Sequence, residues 1–105
     1  MKFELFKSIV TLIDTEQRKR DEYLERIPDD IKDFVFDNLY TNSYGWCHDR
    51  LAETALGDLW EDVAYYIYER PIMSNVGKVV VDGVEHEFSN LEEFLDFMQK
   101  VHQFD

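Results

Sequence analysis

Cys47, His48 and Asp49 stand side by side, and a thiol, an imidazole and a carboxylate are the parts of a nucleophilic site. On a helix, neighbouring residues point about 100° apart, so Cys47 and His48 are not placed to work as nucleophile and base. His48 with nearby carboxylates is a beginning for a metal site, but no His-x3-His, Cys-x2-Cys or EF-hand spacing occurs. Glu92, Glu93 and Asp96 fit the first turn and solvated face of a helix, where acids suit the positive helix end. His86 is expected at the core margin, and His102 at a helix C-terminus. There is no glycine-rich phosphate loop. The chain is therefore expected to be neither an enzyme nor a binder of a cofactor or metal.

What remains is a pattern of carboxylates and tyrosines. From Leu51 to Glu69 the apolar residues Leu56, Leu59, Trp60, Val63, Tyr66 and Ile67 fall on one arc of a helix. The same winding turns Asp58, Glu61, Asp62, Tyr65, Tyr68 and Glu69 outward. Rings beside carboxylates can anchor a basic protein partner and steer it, unless a second layer buries the rings. Upstream, Asp29, Asp33 and Asp37 recur at i, i+4 and i+8, aligning like charges about 6 Å apart on a helix edge. That alignment costs a few tenths of a kcal/mol per pair. It reads either as a solvated face or as a ruler of charge for a partner.

The overall balance favours such a partner. Of 105 residues, 45% are hydrophobic and 15% aromatic, enough for a single domain with one core, yet the formal net charge is -12. Residues 1–28 hold six acids and six bases, so the whole excess follows Pro28. An acidic surface of this kind repels nucleic acid and anionic lipid, both of which bind through Lys and Arg. No direct nucleic-acid contact and no membrane association are expected. One cysteine excludes an intrachain disulfide, and the N-terminus reads as neither signal peptide nor span, so a reducing, cytoplasmic setting is expected.

The elements that would position these residues are legible from periodicity. Phe3, Phe6, Val10 and Ile13 begin a heptad-like stripe that continues through Gln17, Arg20, Leu24 and Ile27. It predicts a helix over about 2–26, or two broken near Asp14 as a cap, with the second half more exposed. Arg18-Lys19-Arg20 sits among acids and reads as a self-paired helix face. Pro28 opens a second helix with Ile31, Phe34, Val35 and Leu39 as its buried stripe. Asn42, Ser43 and Gly45 mark a loop in which Trp46 is an anchor. Gly57 either lies within one long helix or divides two, with Asp58 and Glu61 then a capping pair.

After the Pro71 connector, Asp82-Gly83 predicts a two-residue hairpin turn. Val81 then faces Val84, Val79 faces His86 and Lys78 faces Glu87, with Val79, Val81, Val84 and Phe88 on the apolar side and Val80 and Glu85 on the wet side. Ser89 with Glu92 is read as a capping box for a last helix bearing Leu91, Phe94, Leu95, Met98 and Val101. The class is α+β, mainly α, with three to four helices, a hairpin at about 78–88 and a C-terminal helix. A winged-helix outline fails for want of a basic recognition helix.

The run Asp58-Leu59-Trp60-Glu61-Asp62 resembles a stretch of the phage antirestriction DNA mimics, proteins that offer carboxylates in place of DNA phosphates to restriction enzymes. The likeness spans five of 105 residues. It implies that Asp58, Glu61 and Asp62 serve as phosphate surrogates. The expectation is a small acidic inhibitor, of anti-defence or immunity type, that blocks a nuclease or other nucleic-acid-binding protein through Asp29, Asp33, Asp37, Asp58, Glu61, Asp62, Tyr65, Tyr68 and Glu69. The alternative is a non-catalytic assembly module that forms a homodimer through the Phe3/Phe6/Val10 stripe.

Overall fold

The computed structural model describes residues 1–41 and 52–105, with the side chains of 36–41 outside that description. The readings placed on Trp46, Cys47, His48 and Asp49, and on the side chains of Asp37 and Leu39, lie outside the described residues. Helix α1 spans Phe3–Glu25 and α2 spans Asp29–Thr41. Residues 52–56 are helical and lead through a 3-10 turn, Gly57–Leu59, into α3, Trp60–Tyr68. Strands β1 (Gly77–Val81) and β2 (Val84–Phe88) form an antiparallel hairpin, and α4 (Leu91–Val101) closes the order. The architecture is α+β and mainly α.

The core lies where α1, α3, the hairpin and α4 meet. Phe6, Val10, Val63, Tyr66, Phe94 and Met98 are fully buried there. Tyr66 stacks flat on Phe94, with ring centroids 4.4 Å apart, and Phe88 meets both rings edge-on. Such pairs add about 0.5–1.5 kcal/mol each beyond the area they bury. Two members of the expected dimer stripe, Phe6 and Val10, are thus spent inside the chain itself. Phe104, after α4, covers Phe3 and Phe6 at 5.2 and 5.1 Å.

The hairpin keeps the register that Asp82-Gly83 dictates. Asp82 and Gly83 both have positive φ, 52° and 78°, as a two-residue turn matched to strand twist requires. Val81 faces Val84, Val79 faces His86 and Lys78 faces Glu87. Val79 and Phe88 are buried and Val81 partly so, but Val84, expected on the apolar side, stands 57% exposed beside the turn; His86 rests on Phe97 at the core margin, 4.6 Å between rings. β1 crosses α3 at Gly77, where a Cβ would stand 2.5 Å from the Tyr66 ring and 2.8 Å from its carbonyl oxygen. Only glycine permits that approach.

Five further readings are corrected. First, α1 is continuous through Asp14, which is no cap: its carboxylate pairs with Arg70 and, at 3.8 Å, with Arg18. Second, the latter half of α1 is not the exposed half, because Gln17, Asp21 and Leu24 are buried. Gln17 Nε2 donates to Asp21 Oδ1 at 3.1 Å, and the Met73 N–H donates to Asp21 Oδ2 at 3.3 Å. Polar seam positions are interior here because the Arg70–Met73 connector brings them partners. Third, Ile31 and Phe34 are not a buried stripe but stand 44% and 71% exposed.

The fourth correction concerns Asp58, which caps nothing: Gly57, at φ 57°, divides the helical segments, and Leu59 precedes α3 without a side-chain cap. Last, the cap of α4 is shifted by one residue. Asn90 accepts from the Glu93 N–H at 2.9 Å while the Glu93 carboxylate accepts from the Ser89 N–H at 2.7 Å. Asn is as good an N-cap as Ser, and the glutamate three residues beyond it completes the box.

Candidate protein-binding face

Helix α3 is short, and its position depends on what it buries. Val63, Tyr66 and Ile67 face the core, which fixes the opposite side toward solvent. On that side Glu61, Tyr65 and Glu69 succeed one another at four-residue steps and are exposed, Tyr65 by 49%. Trp60, Ala64 and Tyr68 border them, and together the six line a shallow depression on the helix. Trp60 meets Tyr68 edge-on with centroids 6.1 Å apart.

The depression does not stop at the helix. Tyr65 and Glu69 also line a groove of about 400 Å³ whose other wall is the hairpin, at Lys78, Val80 and Glu85, and whose end is closed by Pro71, Ser74 and Val76. The outer faces of α3 and the hairpin are therefore one continuous surface. Lys78 Nζ lies 3.1 Å from Glu85 Oε1, and that carboxylate, donated to by the ammonium, raises the lysine pKa. Lys78 thus keeps its charge and pairs it with Glu85. Arg70 borders the groove, yet its side chain is turned inward to Asp14 and is almost wholly buried. Among the described residues no cation pairs with the carboxylates of Glu61 and Glu69, which stand beside the exposed Tyr65 ring.

Not every residue singled out from the sequence joins this surface. Asp58 is exposed on the 3-10 turn ahead of α3. Asp62 is partly buried, against the expectation that it points outward, because its carboxylate lies 3.2 Å from His102 Nε2 beyond the end of α4. Tyr68 also departs from expectation: it is half-buried and packs against the core cluster. Asp29 and Asp33 are exposed on α2, a helix that packs on α1, and Asp29 holds Lys32 at 3.0 Å. That contact raises the Lys32 pKa. The two aspartates form a second acidic edge, carried on a different element.

The contribution of Val80, Val76 and Glu85 escaped the reading of the sequence. The signal for two of them was present: the hairpin register already puts Val80 and Glu85 on the wet side. What the pattern does not contain is that this wet side adjoins α3. Among the described residues no group of three His, Cys, Asp or Glu side chains is gathered as a metal site would need, and no helix is long and apolar enough to cross a membrane. No protein-family model, curated protein or solved structure matches the chain.

Proposed function

We propose that this chain is a small, non-catalytic inhibitor, of the DNA-mimic, anti-defence or immunity kind, which acts in the cytoplasm by covering the nucleic-acid-binding surface of a basic protein, a nuclease above all. The observation that carries the reading is the continuous outer face of α3 and the hairpin, where Glu61 and Glu69 flank an exposed Tyr65. Exposed rings give a partner apolar area at low entropic cost, and carboxylates select and steer Lys- and Arg-rich surfaces. Asp58 at the head of α3 and the Asp29/Asp33 edge of α2 extend the field, and the net charge of -12 supports its sign.

The test is capture of basic proteins from a host lysate with wild-type chain and with a Glu61→Lys, Glu69→Lys variant, across a salt series and with DNA as competitor. The expected result is a retained nuclease or nucleic-acid-binding protein that DNA displaces, that salt releases and that the double variant fails to hold. Retention unchanged by salt, by DNA and by both reversals removes the reading.

A second reading rests on its own observation. Leu5 and Leu12 are exposed on α1, and Leu12 borders an apolar groove with Ile9, Ile13, Ala52, Ala55 and Tyr68. Self-association through α1, were it to occur, uses this flank and not the buried Phe6 and Val10. Sedimentation of wild type against Leu5→Glu with Leu12→Glu separates the two: a dimer that the pair of substitutions dissolves favours assembly.

A further inference from the structure

We infer that the groove between α3 and the hairpin binds an extended, basic segment of the partner as a third strand, paired to the free edge of β1; the inference rests on the acidic-face reading and gives it a geometry. Among the described residues the sheet has two strands, so each has one edge with which no strand pairs, and α3 packs on β1. A two-residue turn makes Val81 and Val84 a hydrogen-bonded pair, and alternation then bonds Val79 to His86 and Gly77 to Phe88. Lys78 and Val80 consequently direct their N–H and C=O groups away from β2. Among the described residues no backbone or side-chain group satisfies them. An edge of this kind is a template for another strand unless something covers it.

The groove is lined by Tyr65 and Glu69 of α3 on one side and by Lys78, Val80 and Glu85 of the hairpin on the other, so it adjoins the two residues whose backbone groups turn away from β2. A strand set there adds main-chain hydrogen bonds, while its side chains alternate between two surroundings. The row turned to α3 meets the ring of Tyr65 and the carboxylate of Glu69. Arginine suits both, with its planar group on the ring and its charge on the acid. The row turned away lies beside Val80, which is 58% exposed, and takes an apolar residue. Charge decides against a second copy of this chain as occupant, since two molecules of net charge -12 would have to meet edge to edge.

The experiment uses the whole chain, labelled with nitrogen-15, and three peptides: one of alternating Val and Arg, the same peptide N-methylated at every second backbone amide, and an oligoarginine of equal charge. The expected result is binding of the first peptide with slowed hydrogen exchange at the Lys78 and Val80 amides. N-methylation, which removes donors and keeps charge, weakens binding about tenfold or more. Val80→Pro, tolerated at an edge whose N–H faces outward, weakens it likewise while the remaining hairpin amide shifts stay in place. Equal affinity for all three peptides overturns strand pairing but leaves the acidic-face reading standing. Absence of binding by any peptide, or protection of the same two amides in peptide-free protein that grows with concentration alongside a dimer in sedimentation, also overturns it.

Discussion

Helices α2 and α3 are both short, acidic and amphipathic, yet the fold treats them in opposite ways. In α3 the apolar arc is buried through Val63, Tyr66 and Ile67, and the chain on either side is fastened: Gly57 sets its entry, and Arg70 ties its exit to Asp14. In α2, Ile31 and Phe34 are exposed and the helix rests on α1. Equal periodicity therefore gives unequal burial. An amphipathic pattern states which side of a helix seeks cover, and only the tertiary arrangement states whether cover exists. For binding, the difference means that Glu61, Tyr65 and Glu69 are presented on an element with a buried apolar side, whereas Asp29 and Asp33 ride on one whose Ile31 and Phe34 stand exposed.

The contact whose loss should cost most stands at the exit of α3. Arg70→Ala leaves Asp14 without its buried guanidinium, and loss of one partner of a buried pair costs about 3–5 kcal/mol. Urea unfolding should show a lowered midpoint, and a change below about 1 kcal/mol would mean that α3 is not secured there. Next come matched truncations. Ile67→Ala on α3 should cost about 2–5 kcal/mol, and Phe34→Ala on α2 about 0.5 kcal/mol or less, although phenylalanine is the larger side chain. Equal losses would erase the distinction between the helices.

Gly77→Ala probes the seating of α3 from the hairpin side. A methyl group there meets the Tyr66 carbonyl as well as its ring, and backbone cannot yield cheaply, so a loss of about 1–3 kcal/mol is expected in thermal or urea unfolding. Tyr66→Phe has the smallest effect at neutral pH. Burial raises the Tyr66 pKa above its ordinary value near 10, opposed in part by the Arg70 charge. A raised folded-state pKa favours the native state fully below the unfolded value and is lost as pH climbs toward the folded one. Wild-type stability should thus fall above about pH 10, beyond what the exposed tyrosines give. The phenylalanine variant should lack that part of the fall, and identical alkaline profiles would show that the phenol does not titrate against burial.

Much of the fold was legible because its determinants are local. Asp82-Gly83 fixes a register by turn geometry alone, and the spacing of Phe94, Leu95 and Met98 fixes the buried side of α4. What was not legible depends on distant partners. Nothing near Asp21 in sequence announces that it will accept a hydrogen bond from Met73, 52 residues on, so the second half of α1 read as the more exposed one. Asp62 is the same case, since its turn inward follows from His102 on another element. Of the candidate site, the α3 row Glu61, Tyr65 and Glu69 came from helical spacing, while the hairpin wall did not, because adjacency of two elements has no periodic signature.

Two aspartates of α1 carry a last consequence. Asp14 and Asp21 are about two helical turns apart on one side of α1, and they hold Arg70 and Met73 of a single short connector. Sliding or rolling α1 by one residue would release both grips at once, a penalty that purely greasy contacts, being indifferent to direction, would not impose. The polar seam thereby acts as a vernier: it sets how α1 is aligned along the chain that follows α3.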